Sequence, residues 1–161
     1  MLQFESVRIE IPADANIILG QSHFIKTVED LYEALAGSGP HLQFGIAFSE
    51  ASGDCLVRMD GNDEELKQAA VRNIVALGSG HSFLIVMKGG FPIHVLDRVK
   101  AAPEVCTIFC ATANPVEVIV AATDQGRGIM GVIDGSSPCG TESTEQISAR
   151  QHFLRKIGYK R

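Results

Sequence analysis

The sequence has no apolar run that approaches the roughly 20 residues a membrane-spanning helix needs; its longest stretches, such as Phe83 to Met87, are far shorter. Its amino terminus, Met1-Leu2-Gln3-Phe4-Glu5, lacks a basic region followed by an apolar one, so neither a leader nor a membrane partner is expected. A cytoplasmic location is the corresponding expectation. Positive charge is also scarce: 14 lysines and arginines against 19 acidic residues give a net charge of -5, which supplies no general field for a nucleic-acid backbone. Nucleic acid is therefore not expected as a partner. The four cysteines, Cys55, Cys106, Cys110 and Cys139, include no C-x-x-C pair and are expected as reduced thiols. Cys106 and Cys110 fall in one predicted strand, about 13 Å apart, too far to share an ion, and no metal site is expected. No G-x-x-x-x-G-K-[ST], G-x-S-x-G or H-E-x-x-H segment occurs, which removes P-loop, serine-hydrolase and zinc-protease chemistry.

What is present is ordinary globular composition, 45% hydrophobic and 20% charged over 161 residues, enough to enclose one core. The whole chain, 1–161, is expected to form a single domain. Val7, Ile9 and Ile11 alternate with polar residues and predict a half-buried strand ending at Pro12; Ile17 to Leu19 resumes the sheet. Val28, Leu31, Tyr32 and Leu35 then follow the helical period between Thr27, an expected N-cap, and Gly37. Leu42 to Phe48 and Cys55 to Met59 predict a hairpin, and Leu66, Ala69, Ala70, Ile74 and Leu77 a second helix starting near Asn62 and closed by Gly78. Ser82 to Met87 predicts a strand, and Pro92 to Val99 a third helix. Val105 to Ala111, Val116 to Ala122 and Ile129 to Ile133 predict three more strands. Ile147, Arg150, Phe153, Leu154 and Ile157 mark a final helix that docks on the surface. The alternation implies an α/β fold of mixed β-sheet layers with packed helices, not a pure doubly wound one.

Three segments can carry chemistry. Leu19 to Thr27 joins a strand to a helix, where unpaired helix N–H groups favour an anion; Gln21, Ser22 and Lys26 add donors, and His23 lies beside them. Local backbone satisfaction by Ser22 and His23 is the plain alternative. His81 opens a strand after Gly78-Ser79-Gly80 and is either a pocket residue or a solvated strand end. His41, His94 and His152 lack comparable polar company. Thr123 to Gly131 contains a literal G-x-G-x-x-G, but a strand follows it where the dinucleotide fingerprint needs a helix. The segment is then a hairpin turn or a functional loop, in which Asp124 and Gln125 can bond a ribose or base edge and Arg127, between Gly126 and Gly128, can approach phosphate.

The blocks ILGQSHFIKTVEDLYEAL (18–35), FGIAFSEASG (44–53), GNDEEL (61–66), ATANP (111–115), TDQGRGIMGVIDG (123–135) and RKIGYKR (155–161) resemble, in this order, the adenosine-specific kinase family. That resemblance implies a homotrimer of compact α/β subunits that binds adenosine and AMP in preference to di- and triphosphates and carries a phosphorylated histidine. Within it, His23 is assigned as phosphoryl acceptor and donor, with His81 the second choice, and Lys26 as a catalytic charge partner. Gln21, Ser22, His81, Asn114, Asp124, Gln125, Gly126 and Arg127 are assigned to substrate binding. No cofactor is implied, and the phosphate donor is not legible. A non-catalytic AMP or adenosine sensor uses the same residue types and is the alternative.

Overall fold

Two antiparallel sheets organise the chain, and a computed structural model describes residues 1–161. In chain order the elements are β1 (Gln3–Arg8), β2 (Asn16–Ser22), α1 (Thr27–Ala36), β3 (Gln43–Ser49), β4 (Val57–Gly61), α2 (Glu64–Leu77) and β5 (Ser82–Lys88). A 3-10 turn (Pro92–His94), α3 (Leu96–Ala101), β6 (Val105–Thr112), β7 (Val116–Ala122), β8 (Arg127–Asp134) and α4 (Thr144–Lys156) follow. The larger sheet has the order β4-β3-β5-β2-β6 and the smaller β1-β7-β8. The expected α/β layering is present. Every strand pair is antiparallel. The α1 crossover does return β3 in the direction of β2, but β5 is inserted between them and opposes both.

The larger sheet is covered on both faces, which is why β2 and β5 are continuous apolar runs instead of alternating ones. Ile18, Phe83, Ile85 and Met87 face α1 and α3, where Leu31, Leu35 and Val99 are fully buried. Ile17, Leu19, Leu84 and Val86 face the opposite layer, made of α2 and the inner face of the smaller sheet with Val116, Val118 and Val120. Both layers are tightly seated. A Cβ on Gly45 of β3 would fall on the backbone of Leu66 and Lys67, so this glycine sets how closely α2 approaches the sheet.

Element boundaries differ from the sequence expectation for local reasons. The first strand is β1, at Gln3–Arg8, because its ladder with β7 runs from Gln3–Ala122 to Arg8–Glu117; Ile9, past the strand, still donates to Val116 and is buried. Thr27 is the first residue of α1 and not its cap, since its hydroxyl donates to the Phe24 carbonyl at 2.6 Å. At α2 the cap is Asp63, which accepts from Leu66 N–H, while Asn62 bridges Phe44 N–H and the Leu42 carbonyl. Helix α4 forms with a Ser143–Gln146 capping box, but none of its residues is buried.

Candidate functional site

Pairing brings several chain segments to one end of the larger sheet. Gln21 lies opposite Ser82, and Phe48 opposite Phe83, so β2 and β3 end where β5 begins. The residues just beyond these ends, His23, Glu50 and His81, therefore meet, with the 50–56 loop and Arg58 of β4 closing the side. They line an open groove of about 540 Å³ together with Phe24, Ser52 and Asp54. A chamber of this size falls within the roughly 300–1,000 Å³ of small-molecule sites.

The two histidines are held very differently. His23 is exposed, its backbone N–H bound to the Glu104 carbonyl, and its ring lies tilted at 42° to that of Phe24 with 6.3 Å between centroids. His81 adopts φ +61°, a left-handed conformation uncommon outside glycine. Bonds from His81 N–H to Ser49 O at 2.8 Å and from Ser22 N–H to His81 O at 3.0 Å fix it there. Its ring stacks on Phe48 at 5.8 Å and 17°, and its Nε2 lies 3.7 Å from Glu50 Oε1. Burial by itself would push the Glu50 carboxyl up, but Ala51 N–H, the Ser52 hydroxyl and Arg58 outweigh it and hold the pKa below the usual range. A charged carboxylate thus faces an immobilised imidazole. At 3.7 Å the pair is within ion-pair range but is not hydrogen-bonded, so the ring is held by the backbone bonds of His81 and by its stack on Phe48.

A second groove, about 750 Å³, adjoins the first and shares Glu50 and Cys55 with it. Gln125, Gly126 and Arg127 from the β7–β8 turn line its far wall, with Gly78 and Gly80 between. Arg127 is braced: Nε donates to the Leu77 carbonyl at 2.8 Å, and Nη1 lies 3.0 Å from Glu5 Oε2. A guanidinium has five N–H donors, so others remain for a ligand. Gln21 meets Arg127 across a smaller recess that also includes Ser79 and Ser82.

Four residues picked from the sequence lie elsewhere or are already engaged. Ser22 is fully buried and hydrogen-bonds Thr27 at 2.8 Å. Lys26 pairs with Asp30 at 2.8 Å beside Glu104, whose buried carboxyl oxygens have no hydrogen-bond partner. Asp124 is fully exposed, 3.7 Å from the terminal amine. Asn114 follows β6 at the opposite end of β2, since Thr112 pairs with Ile17, and its amide donates to Asp134 at 3.1 Å. Conversely, Glu50, Arg58 and Phe48 were not singled out. Glu50 stood inside the FGIAFSEASG block, but only the β3–β5 register shows that it reaches His81. No group of three or more metal-ligating side chains is present.

The fold and this double groove define a small α/β protein with a histidine-bearing, ligand-sized cleft. A family model described as adenosine specific kinase matches residues 7–160. The chain belongs to that family. It is also 44% identical to a protein whose structure is titled "Crystal Structure of PH1918 protein from Pyrococcus horikoshii OT3", with a TM-score of 0.95 over 100% of this chain and 99% of that one. No curated protein matches it.

Proposed function

We propose that the chain is an adenosine-directed phosphotransferase that binds adenosine or AMP across the two joined grooves and moves the phosphoryl group through a histidine. The observation that carries this reading is the His81–Glu50 pair, of which Glu50 lines both the histidine groove and the Arg127 groove. A transferable phosphoryl group needs an imidazole with one nitrogen oriented and the other free. His81 meets that requirement better than His23, so the geometry favours His81 as carrier and gives His23, in the same groove, a phosphate-contacting role. With AMP, a neutral imidazole nitrogen attacks phosphorus, the N–P bond forms as the P–O bond to the ribose 5′ oxygen breaks, and that oxygen takes a proton from solvent so that adenosine leaves. The reverse step regenerates AMP. Glu50, held ionised, is a weak base and lies within ion-pair range of His81. Arg58 and Arg127 offset phosphoryl charge, and catalysis rests on positioning and electrostatics.

Gln125 and Gly126 form the wall that would take the nucleoside, and Gln21 faces it across the Arg127 recess. Asp124 and Asn114, assigned to binding by resemblance, enter this proposal only if a bound nucleotide or a neighbouring subunit reaches them. The homotrimer implied by the family is part of the same proposal. Calorimetry with adenosine, AMP and ATP tests it. AMP binds more tightly than ATP, and Arg127→Ala weakens AMP by about 1.5–3 kcal/mol, roughly 10- to 150-fold. Equal affinity for ATP, or an unchanged AMP affinity in the variant, contradicts it.

A further inference from the structure

At the end of β2 remote from the histidines lies a groove of another character. Asn16 begins β2 and pairs with Met87 of β5, and Ile17 pairs with Thr112 of β6, so the segments that follow β5 and β6 meet the turn that precedes β2. Six residue steps of extended chain, roughly 20 Å, separate Asn16 from Ser22 and so from the His23 groove. Phe91 and Pro115 from the following segments, with Ile11, Pro12 and Asp14 from the turn, line a groove of about 620 Å³ that has Asn16 in its wall. That volume falls within the roughly 300–1,000 Å³ of small-molecule sites.

Asn16 is 7% exposed, and its carboxamide makes no hydrogen bond within the chain. Buried polar groups ordinarily have a partner. Asn73, the other buried asparagine, uses both ends of its amide: Oδ1 accepts from Glu10 N–H at 2.8 Å, and Nδ2 donates to the Glu10 and Ala69 carbonyls at 2.8 and 2.9 Å. The fully enclosed polar atoms without partners belong to Arg58 and Glu104, so the Asn16 amide faces the open space of its groove. Charge is sparse there too. Asp14 is the one charged residue of the lining, exposed and held at φ +61° in a turn closed by Ala15 N–H to the Pro12 carbonyl at 3.1 Å.

We propose that this groove is a second ligand site, for an uncharged planar nitrogen heterocycle that presents a hydrogen-bond donor and an acceptor on one edge, as a ring carboxamide or lactam does. The Asn16 carboxamide offers the complementary acceptor and donor in one plane, and pairing both at once fixes the orientation of the ring. The apolar lining and the Phe91 ring, 56% exposed, cover its faces. An anionic ligand finds no lysine or arginine in this lining and meets the Asp14 carboxylate, so it is rejected. The groove shares no lining residue with the two phosphotransfer grooves, and the inference stands apart from that reading.

Backbone-amide NMR of the full chain, titrated with nicotinamide and separately with its anionic counterpart nicotinate at millimolar concentration, tests it. Nicotinamide is expected to shift the amides of residues 13–16 and 91 while those of His23 and His81 stay in place, and nicotinate to shift neither set. Asn16→Leu gives up no hydrogen bond within the chain and is expected to bind nicotinamide roughly tenfold more weakly or worse. Phe91→Ala, at a position half-exposed in the free chain, is expected to weaken binding as well and carries the same test should Asn16→Leu not fold. Absence of nicotinamide shifts at residues 13–16, an equal response to nicotinate, or wild-type nicotinamide affinity in either folded variant overturns the proposal.

Discussion

His81 holds a backbone conformation that costs a non-glycine residue about 1–2 kcal/mol, and three anchors around it, Ser49, Ser22 and Phe48, maintain it. Asparagine tolerates this region and a β-branched residue does not. In urea denaturation, His81→Asn is therefore expected to stay near wild type apart from the lost stacking, with His81→Val about 1–2 kcal/mol less stable than His81→Asn. Equal stability of the two variants contradicts the left-handed placement. Cys110 illustrates the opposite constraint. Burial first, and Asp134 second, push its thiol up to about 11, whereas Cys55, Cys106 and Cys139 are exposed. A thiol reagent at pH 8 should modify three cysteines of the native protein quickly and Cys110 only on unfolding. Four equally fast thiols would mean that the β2–β6 layer opens far more readily than its packing allows.

Between elements, the close approach of α2 to β3 and the Glu104–Asp30–Lys26 cluster each make a prediction. Gly45→Ala puts a methyl group where the helix backbone already lies, and neither element can shift without disturbing the core. We expect a loss on the order of 1–3 kcal/mol, measured by chemical denaturation, and a neutral outcome would place α2 farther out. Burial, then the neighbouring Asp30 carboxyl, holds the pKa of Glu104 above its ordinary 4.5. As pH rises through 4.5 the unfolded chain ionises this group before the folded one does, so stability falls. Glu104→Gln should accordingly raise the melting temperature at pH 7, with the advantage shrinking below about pH 4.5. A variant less stable than wild type at pH 7 contradicts this cause.

For the whole molecule, the period of apolar residues located the main helices and most strands, because a chain covered on two faces must repeat its buried side chains at 3.6 or run them together; the first strand lies earlier than the Val7–Ile11 alternation implies. What it left unread was pairing. Nothing in residues 82–88 states that β5 lies between β2 and β3, yet that insertion is what carries Glu50 to His81. The grouping of His23, His81, Gln125 and Arg127 at neighbouring grooves was legible as polar loops at strand ends. The engagement of Ser22 with Thr27 and of Lys26 with Asp30 was not, since short-range partners compete for the donors a sequence motif offers to a ligand. The docking expected of the last helix is unmet within one chain. Its apolar stripe is present, but no other element of the same chain covers it.

Intact-mass spectrometry of wild type, His23→Asn and His81→Asn after incubation with AMP addresses the central claim most directly. The account predicts one acid-labile phosphoryl group on the wild type and on His23→Asn, with adenosine released, and none on His81→Asn. Phosphorylation of His81→Asn, or release of no adenosine by any of the three proteins, would contradict it.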